Sequence, residues 1–304
     1  MKEPVKILNF GSLNIDKIYN LDHIVNEGET VATISYKESL GGKGLNQTIA
    51  LKRAGVDVYH AGFVGEVDGE ILLDYLRDNK IRSLVKKTSG NSGHAIIQVD
   101  KNANNSIIVE AGANKKIGKA YVDEVLEKFS QGDFLLLQNE ISSLQYIVDQ
   151  ACKKEMRVFF NPSPIDDNIK FIDLNKIDTI IINQSEGRSL SGFVETFEIL
   201  NYFKENFPEL KVVLTLGRLG GIYSYKNEEI RFKSHKVKAL DTTAAGDTFL
   251  GYYLASVASG LDIEESLNLA SLAAGLACTI EGAAPSIPSY RELEVYMKEN
   301  KVEI

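Results

Sequence analysis

The chain has 304 residues, which is enough for one large α/β domain or two ordinary ones. Charged residues make up 25% and hydrophobic residues 44% of the sequence, an ordinary balance for a globular protein. The net charge is −8 and the basic residues form no cluster, so neither nucleic acid nor an anionic membrane is an expected partner. Cys152 and Cys278 lack metal-ligand spacing, and without a signal peptide they predict a reduced, cytoplasmic protein. No apolar run approaches about 18 residues, so no transmembrane span is expected.

The first elements combine a buried strand with two polar residues. Residues 5–13 form an apolar run that predicts a buried strand, and Asn14 and Asp16 follow its core. Such polar residues either form a turn or lie where open α/β sheets bind ligands. Residues 17–40 show short alternating pieces without a helical period, which predicts a few strands outside the main sheet.

A glycine-rich segment then leads into a helix that reaches about residue 54. The segment reads Gly41-Gly42-Lys43-Gly44-Leu45-Asn46-Gln47, which is not a Walker P-loop because that motif needs G-x-x-x-x-G-K-S/T. It is either a simple strand-to-helix turn or a place where backbone approaches a ligand closely. Lys43 is either a solvated lysine or a group that neutralises phosphate charge, and Asn46 could point into the cleft beside Asp16.

From residue 55 onward, strands and helices alternate. Apolar runs predict strands at 58–64, 133–137, 157–161, 179–183 and 211–215. Helical periods predict helices at 69–79, 117–129, 144–154, 196–206, 245–258, 264–280 and 289–299, with a further helix starting near Glu186. One hairpin-like pair, 93–99 with 106–110 around a polar tip at 101–105, is grouped with 17–40 as a small sheet, and a second hairpin covers 222–238 with its tip at Asn227. The alternation predicts a parallel sheet covered by helices on both faces.

Residues 241–249 place small residues and one carboxylate where an extended segment becomes a helix. The sequence there is Asp-Thr-Thr-Ala-Ala-Gly-Asp-Thr-Phe, and Ala244, Ala245 and Gly246 present backbone N–H groups with little side chain in the way. The first N–H groups of a helix lack internal partners and attract anions, most often phosphate. Asp247 is either a carboxylate that stabilises the first turn or a general base beside the phosphate.

Several other predicted strands end in polar residues, which are Asn139 and Glu140, Asn183 and Glu186, and Thr215. Each alone is more typical of a cap or a turn, but the carboxyl ends of parallel strands share one edge of a sheet. Together with Asp247 they predict a phosphoryl-transfer site, in which Asn183 and Glu186 suit magnesium through water. The glycines after Thr215 would let a nucleotide lie against the backbone.

The four histidines show no ligand spacing. We predict that His23, His60 and His235 are ordinary surface or edge residues. His94 belongs to the predicted small sheet, from which it could reach a substrate.

Two segments resemble the signatures of one enzyme family. Residues 41–47 resemble the amino-terminal signature of the ribokinase-like (PfkB) sugar kinases, and residues 241–249 are similar to their carboxy-terminal signature. Further matches occur in order along the chain, at Asn14-Ile-Asp16, Glu110-Ala-Gly-Ala-Asn114, Asn183-Gln-Ser-Glu186, Thr215-Leu-Gly217 and Gly282-Ala-Ala-Pro-Ser286-Ile-Pro288. The matches span almost the whole chain, and the pair of signatures is specific.

The resemblance implies an α/β, Rossmann-like ribokinase fold. A central, mostly parallel sheet is flanked by helices, and a small β-sheet lid is formed by about 17–40 and 93–111 within a single kinase domain over 1–304. In this family ATP phosphorylates the primary hydroxyl of a sugar. The resemblance favours a pentose, D-ribose becoming ribose 5-phosphate, with fructose, deoxyribose or a nucleoside such as adenosine as alternatives. A non-catalytic sugar-binding regulator on the same fold is a further alternative, although Asp247 argues against it.

The resemblance also implies a role for each matching residue. Asp247 corresponds to the catalytic base, and Ala244, Ala245 and Gly246 supply the anion hole. The residues that face the sugar are Asn14, Asp16, Gly42, Lys43, Asn46 and Glu140. Those that serve ATP and its Mg²⁺ are Asn183, Glu186, Thr215, Gly217, Gly220 and Gly246. The site for an activating K⁺ matches Asp241, the backbone at Thr243, the loop around Glu281 and the Ser286 hydroxyl.

Three departures from the family pattern concern the site. Ala244 stands where most members have glycine, Leu45 where alanine is common, and His94 where an aliphatic residue is usual. Leu45 and His94 are expected to touch the lid side of the sugar pocket. A sugar phosphate is disfavoured because no arginine cluster accompanies the sugar motifs, and a dinucleotide-dependent oxidoreductase because no G-x-G-x-x-G turn follows Gly11.

The small sheet also predicts a homodimer. Its apolar residues, such as Ile34, Ile96 and Ile108, have no helix in sequence to cover them. Exposed sheet edges and apolar faces bind partners, and a two-fold contact needs only one self-complementary patch. Two lids packed together would bury both surfaces.

Overall fold

The computed structural model describes residues 5–102 and 104–302, so residue 103 in the predicted 101–105 tip and both ends of the predicted 1–304 domain lie outside the described residues. The strands are β1 Ile7–Phe10, β2 Asn14–Asn20, β3 Ser35–Gly41, β4 Val58–Ala61, β5 Phe63–Gly65, β6 Arg82–Ser83, β7 Lys86–Thr88, β8 Gly93–Val99, β9 Asn105–Glu110, β10 Phe134–Gln138, β11 Arg157–Asn161, β12 Thr179–Asn183, β13 Lys211–Thr215, β14 Gly221–Tyr225 and β15 Glu228–Phe232. The helices are α1 Lys43–Arg53, α2 Glu70–Asp78, α3 Lys119–Leu126, α4 Leu144–Lys153, α5 Gln184–Ser191, α6 Thr196–Asn206, α7 Ala245–Ala258, α8 Ile263–Ala277 and α9 Tyr290–Asn300.

The main sheet runs in the order β15-β14-β13-β12-β11-β10-β1-β4-β6. Every neighbouring pair from β13 to β6 is parallel, and only the β13–β14 and β14–β15 pairs are antiparallel. Central strands such as β1 and β10 are buried at every residue, as expected for strands covered on both faces. The predicted, mostly parallel sheet is therefore confirmed.

Helices cover both faces of the main sheet. Successive residues of β10 alternate between two hydrophobic clusters, so that Leu135 packs in one and Leu136 in the other. Residues of α1, α7 and α8 contribute to the cluster that contains Leu136, and residues of α3, α4 and α6 contribute to the other. This sandwich places the start of α7, the carboxyl end of β10 and the start of α1 near one edge of the sheet.

A second sheet has the order β3-β2-β8-β9. Strand β2 pairs with β3 in antiparallel and with β8 in parallel orientation, while β9 forms the free edge beside β8. The predicted small sheet is thus present, although 21–34 between β2 and β3 is irregular.

One predicted strand is in fact two. The segment 58–64 divides at Gly62, because β4 continues the main sheet while β5 pairs with β7 in a separate two-stranded sheet. The Tyr121 hydroxyl lies 3.0 Å from the Gly62 backbone nitrogen and 3.1 Å from its carbonyl oxygen, which also accepts from the Lys86 N–H of β7 at 3.2 Å. The short strands β6 and β7 were not predicted, since segments of two or three residues carry no periodicity.

Several predicted elements were also too long, among them the helix expected at 117–129, which spans Lys119–Leu126. The hairpin expected over 222–238 ends at Phe232, and the following segment is irregular because α8 captures it through the Ser271 hydroxyl, 2.7 Å from the Lys233 carbonyl. The helix predicted at 264–280 ends at Ala277. No helix in the described part of the chain is long and apolar enough to cross a bilayer.

His60 was predicted to be a surface or edge residue, and this prediction is wrong. It lies on β4 with no exposed surface, and its Nδ1 is 2.7 Å from the Thr48 hydroxyl. Burial lowers the pKa of His60 to about 4, so the ring is neutral at physiological pH. His60 is buried because β4 is an inner strand of the main sheet, and other elements cover both of its faces.

Candidate active site

The amino end of α7 has the geometry of an anion site. Ala244 occupies the left-handed region with φ 58°, and the first helical bond joins the Thr248 N–H to the Ala244 carbonyl at 2.8 Å. The N–H groups of Gly246 and Asp247 precede that bond and face out of the helix end, whereas the Ala245 N–H is bonded to the Thr242 carbonyl at 3.2 Å. A Cβ placed on Gly246 would meet no atom within 4 Å, so the space beside this residue is open.

Asp247 lies just inside this helix end and is only 6% exposed. Its carboxylate accepts hydrogen bonds from the Asn46 side-chain amide at 3.1 Å and from that of Gln47 at 2.9 Å. Both donors belong to α1, so the structure brings together the glycine-rich segment 41–47 and the segment 241–249. Asn46 was expected beside Asp16, but the side chain that its amide contacts is Asp247.

The predicted sugar-side residues surround the start of α1. Glu140, which follows β10, accepts a hydrogen bond from the Lys43 backbone N–H at 3.0 Å and another from the Ser12 hydroxyl. Asn14 begins β2, and its side-chain oxygen accepts from the Asn114 side-chain amide at 2.7 Å. Neither Ser12 nor Asn114 was predicted as a site residue, although Asn114 ends one of the segments that carry the family resemblance.

Glycines let the backbone approach these polar groups. Gly42 has φ 89°, and a Cβ there would come within 3.1 Å of the Ser12 hydroxyl oxygen. A Cβ on Gly41 would collide with the Asp16 carboxylate, and one on Gly93 with the side chains of Asn14 and Asn114. The small sheet can hold its polar groups near the start of α1 only because these positions lack side chains.

The charges at the site are crowded. Burial, together with the nearby Glu140 carboxylate, raises the pKa of Asp16 to about 6. Burial also raises the pKa of Glu140, whereas the Asp247 carboxylate is the main cause of a raised pKa at the half-buried Lys43. One ammonium group thus lies among several carboxylates.

Asn46 has one polar atom without a partner. Its amide nitrogen is bonded to Asp247, but its carbonyl oxygen is buried and has no hydrogen-bond partner. Buried polar atoms are nearly always paired in native proteins, so an orphan at a cleft indicates a place for a ligand donor. A hydroxyl group is a donor of the right kind.

A cavity of about 590 Å³ lies beside the start of α7 and is not lined by the polar residues at the start of α1. Four predicted cofactor residues line it, namely Thr215, Gly217, Gly220 and Gly246. Residues of the irregular segment after β15, including His235, complete the wall. Gly220 has φ 88°, and a side chain there would collide with the Phe232 carbonyl, so glycine is required at this turn.

Asn183 and Glu186 do not line that cavity. They form the capping box of α5, in which the Asn183 side chain accepts from the Glu186 N–H and the Glu186 carboxylate accepts from the Asn183 N–H, each at 2.9 Å. Glu186 nevertheless contributes to the raised pKa of Lys43, so its charge acts on the site. The contacts of Asn183 and Glu186 are thus those of helix-capping residues. One Glu186 oxygen lies outside the capping box and is available to bind water or a metal.

Asp241 joins two loops beside the helix start. One carboxylate oxygen accepts from the Thr243 N–H at 2.9 Å, and the other accepts from the Gly282 N–H at 2.9 Å. Burial alone would raise the pKa of Asp241, but these hydrogen bonds outweigh it and lower the pKa. The Ser286 hydroxyl is fully buried and donates to the Ala283 carbonyl at 2.8 Å.

The Glu281 side chain points away from this pair of loops. It is 80% exposed and lies 3.4 Å from the Lys37 ammonium of β3. Only the backbone around Glu281 therefore remains as a ligand candidate. No cluster of three or more His, Cys, Asp or Glu side chains suited to a metal occurs in the described ranges.

Leu45 and His94 do not touch the sugar side, contrary to our expectation. Leu45 has no exposed surface and packs in the core. In the small sheet, His94 stands opposite Ile15, whereas Ala95 stands opposite Asp16. Because side chains alternate between the faces of a sheet, His94 lies on the face away from Asp16. Neither side chain therefore lies on the lid side of the predicted sugar pocket, where it was expected.

A buried polar network lies behind Asp247 and was not predicted from the sequence. Gln47, Gln138 and Asn9 are almost entirely buried and hydrogen-bond to one another or to Asp247. The signal was present, because Gln47 and Thr48 interrupt the apolar pattern of α1 on its buried side. Asn139, expected near the site, instead donates to the Pro164 carbonyl at 2.6 Å and holds a loop.

Comparison with known proteins identifies the family. The sequence profile of the pfkB family carbohydrate kinases matches residues 5–289. The chain belongs to this family. The kinase is thus a phosphotransferase that uses an alcohol group as acceptor, and the resemblance stated from residues 41–47 and 241–249 is confirmed.

Individual relatives match over nearly the full length. The kinase is 31% identical over 293 residues to the ribokinase of Bacillus subtilis, covering 93% of this chain and 96% of that protein. It is 27% identical over 310 residues to the deoxyribokinase of Salmonella typhi, covering 96% and 98%. A solved structure of Arabidopsis thaliana ribokinase, complexed with ribose and ATP, matches with a TM-score of 0.84 at 25% identity and covers 98% of this chain and 99% of that one.

Proposed function

We propose that the kinase transfers the γ-phosphoryl group of ATP to the primary hydroxyl of a pentose, converting D-ribose to ribose 5-phosphate. The observation that carries the proposal is the position of Asp247. Its carboxylate lies at an open helix end between the 590 Å³ cavity and the polar groups at the start of α1. The relatives named ribokinase, and the one complexed with ribose and ATP, support this substrate pair.

The chemistry follows from that position. Asp247 accepts the proton of the attacking hydroxyl, the hydroxyl oxygen bonds to the γ-phosphorus, and the bond to the β-phosphate oxygen breaks to release ADP. The backbone at Ala244, Ala245 and Gly246 forms the anion hole, in which the outward-facing N–H of Gly246 stabilises the negative charge that spreads over the transferred group. The Asp247 carboxylate raises the pKa of the Lys43 ammonium, and this positive charge offsets part of the phosphate charge.

Sugar recognition is assigned to Asn14, Asp16, Gly42, Lys43, Asn46 and Glu140. The orphan Asn46 carbonyl and the Asp16 carboxylate are acceptors for ring hydroxyls. The small sheet, about 17–40 and 93–111, acts as a lid over the sugar within a single kinase domain. Asp16, Gly93 and Ala95 lie on the face that would cover it.

ATP is assigned to the cavity lined by Thr215, Gly217, Gly220 and Gly246. A magnesium ion would neutralise the phosphates and would be held through water by Asn183 and Glu186. The donor set fits, because Mg²⁺ prefers oxygen ligands and keeps several waters, and one Glu186 oxygen lies outside the capping box.

A potassium ion is assigned to the two loops joined by Asp241. Oxygen donors suited to a hard cation are the Asp241 carboxylate, the Thr243 carbonyl, the backbone around Glu281 and the Ser286 hydroxyl. Bound there, the ion would supply positive charge and order the loop that carries Ala244. The bond from the Gly282 N–H to Asp241 supports the fit, since it holds both loops together.

We also propose a homodimer formed through the small sheet, in the cytoplasm. Every residue of the edge strand β9 is exposed, and Ile107, Ile108 and Val109 are 53%, 58% and 62% exposed. Ile34 is 69% exposed, whereas Ile96 is partly covered. An exposed edge with apolar side chains supports pairing with a second copy.

The proposed substrate is tested by comparing kcat/KM for ribose, 2-deoxyribose, fructose and adenosine with ATP. We expect ribose to be preferred, because buried acceptors left unpaired penalise an analogue that lacks a hydroxyl. Asp16→Ala should weaken ribose binding far more than ATP binding. A tenfold preference for another substrate, about 1.4 kcal/mol of transition-state stabilisation, would overturn ribose and leave only the family. The deoxyribokinase relative makes 2-deoxyribose the critical competitor.

A further inference from the structure

Gln47 has no assigned role, yet its side-chain amide donates to Asp247 at 2.9 Å, a shorter distance than that of the Asn46 amide at 3.1 Å. It has no exposed surface, so it does not reach solvent or substrate directly. Its amide nitrogen lies 2.9 Å from one Asp247 oxygen and 3.2 Å from the Asn161 carbonyl oxygen. Its own carbonyl oxygen accepts from the Gln138 amide at 2.6 Å.

A backbone carbonyl at one end of this network determines which atom of each side-chain amide, nitrogen or oxygen, faces its neighbour. The Asn9 amide nitrogen donates to the Gly44 carbonyl at 2.7 Å, and a backbone carbonyl can only accept. The Asn9 oxygen must therefore face Gln138, whose nitrogen donates to it at 3.0 Å and also to Gln47. Gln47 must in turn present its oxygen to Gln138 and its nitrogen to Asp247.

The other side of the network imposes the same direction. The Asn161 amide nitrogen donates to the Ile181 carbonyl at 3.0 Å, so the Asn161 oxygen is the atom that faces Gln47. Two acceptors, the Asn161 oxygen and the Asp247 carboxylate, thus meet the same Gln47 nitrogen. A flipped Gln47 would place its oxygen against both acceptors and lose all of these hydrogen bonds.

We infer that Gln47 is a positioning residue for the reaction: its directed amide holds one oxygen of the Asp247 carboxylate in place, so that the carboxylate faces the hydroxyl acceptor correctly. Asn46 holds the other oxygen. With both oxygens held, the plane of the carboxylate is fixed, and proton abstraction depends on that geometry. This inference rests on the proposed role of Asp247 as the base.

The test uses the full-length kinase with Gln47→Met, which keeps the length of the side chain but removes the amide. A hydrogen bond to a charged group corresponds to a change of roughly 10- to 100-fold in rate. We expect kcat to fall by that factor while KM for sugar and ATP stays within about twofold.

Thr48→Val is the matched control. Thr48 is the next residue of α1 and is equally buried, but its hydroxyl bonds Asn9 and His60 at the far end of the network. Asn9 keeps its bond to Gly44 in that variant, so the direction of the amides is preserved. The control should lose stability and keep the kcat of the unmodified kinase.

Two further variants keep the test decisive. If Gln47→Met does not fold, Gln47→Glu has the same size, cannot donate when ionised, and should lower kcat at least as strongly. In Asp247→Asn, adding Gln47→Met should produce little further loss of kcat, because Gln47 acts only through Asp247. A folded Gln47 variant with kcat within twofold of the unmodified kinase overturns the inference, as do losses that add fully in the double variant. An inactive unmodified kinase, or an active Asp247→Asn, would instead refute the proposed function.

Discussion

The Asn46 amide nitrogen lies 3.1 Å from the Asp247 carboxylate, although 201 positions separate the two residues in the chain. This hydrogen bond joins α1, which follows the small sheet, to α7, which begins at the anion-binding helix end. The residues assigned to the sugar and those assigned to phosphate therefore meet at one carboxylate.

Replacing Asp247 by asparagine should abolish most turnover while preserving binding. A general base contributes roughly 10²–10⁴ in rate, so kcat should fall by that factor while the dissociation constants for sugar and ATP change by only a few-fold. Steady-state kinetics and calorimetry measure the two effects. Glu264→Gln is a suitable control, because Glu264 is also an acidic residue in the first turn of a helix, α8. Near-normal turnover in Asp247→Asn would show that the carboxylate only stabilises the helix.

Sugar affinity should decrease as the pH falls through about 6. Burial and the Glu140 charge raise the pKa of Asp16 to about 6, so its carboxylate is ionised above that pH and protonated below it. The ionised form is the stronger acceptor for hydroxyl groups, and the loss can reach about tenfold per pH unit. Ribose titrations between pH 7.5 and 5 measure the effect. Asp16→Asn should bind ribose weakly but without this dependence, and an unchanged dependence would point to Glu140.

Potassium should raise kcat relative to sodium at equal ionic strength. The physical reason is that oxygen ligands on the two loops joined by Asp241 would hold the larger ion and order the α7 start. Asp241→Asn should lose the potassium response. Lys37→Met should retain it, because that variant breaks only an exposed ion pair with the Glu281 side chain. Equal rates in the two salts would remove the cation from the proposal.

The kinase should sediment as a dimer of about twice 33.6 kDa at micromolar concentration. Ile108→Asp, on the exposed edge strand β9, should shift it toward the monomer, because two buried charges at a two-fold contact are strongly unfavourable. Phe197→Asp is the matched control, since Phe197 is 70% exposed but lies on α6. A monomer at all concentrations would mean that this edge remains uncovered.

The sequence alone predicted most of the fold. Continuous apolar runs, separated by segments with a helical period, predicted the strands of the parallel sheet, because strands buried on both faces must be apolar throughout. The segments 41–47 and 241–249 determined the family and the candidate base. The division of 58–64 at Gly62 was not predictable, since the Tyr121 hydroxyl that contacts both backbone groups of Gly62 comes from a distant helix.

Only the tertiary structure decided which polar residues act together. His94 was placed away from Asp16 by the register of β2 and β8, and a shift of one residue would have reversed that result. The direction of the Gln47 amide follows from the Gly44 and Ile181 carbonyls, two backbone atoms in different elements. The sequence specifies that these side chains can donate and accept hydrogen bonds, but only packing in three dimensions determines which atom faces which partner.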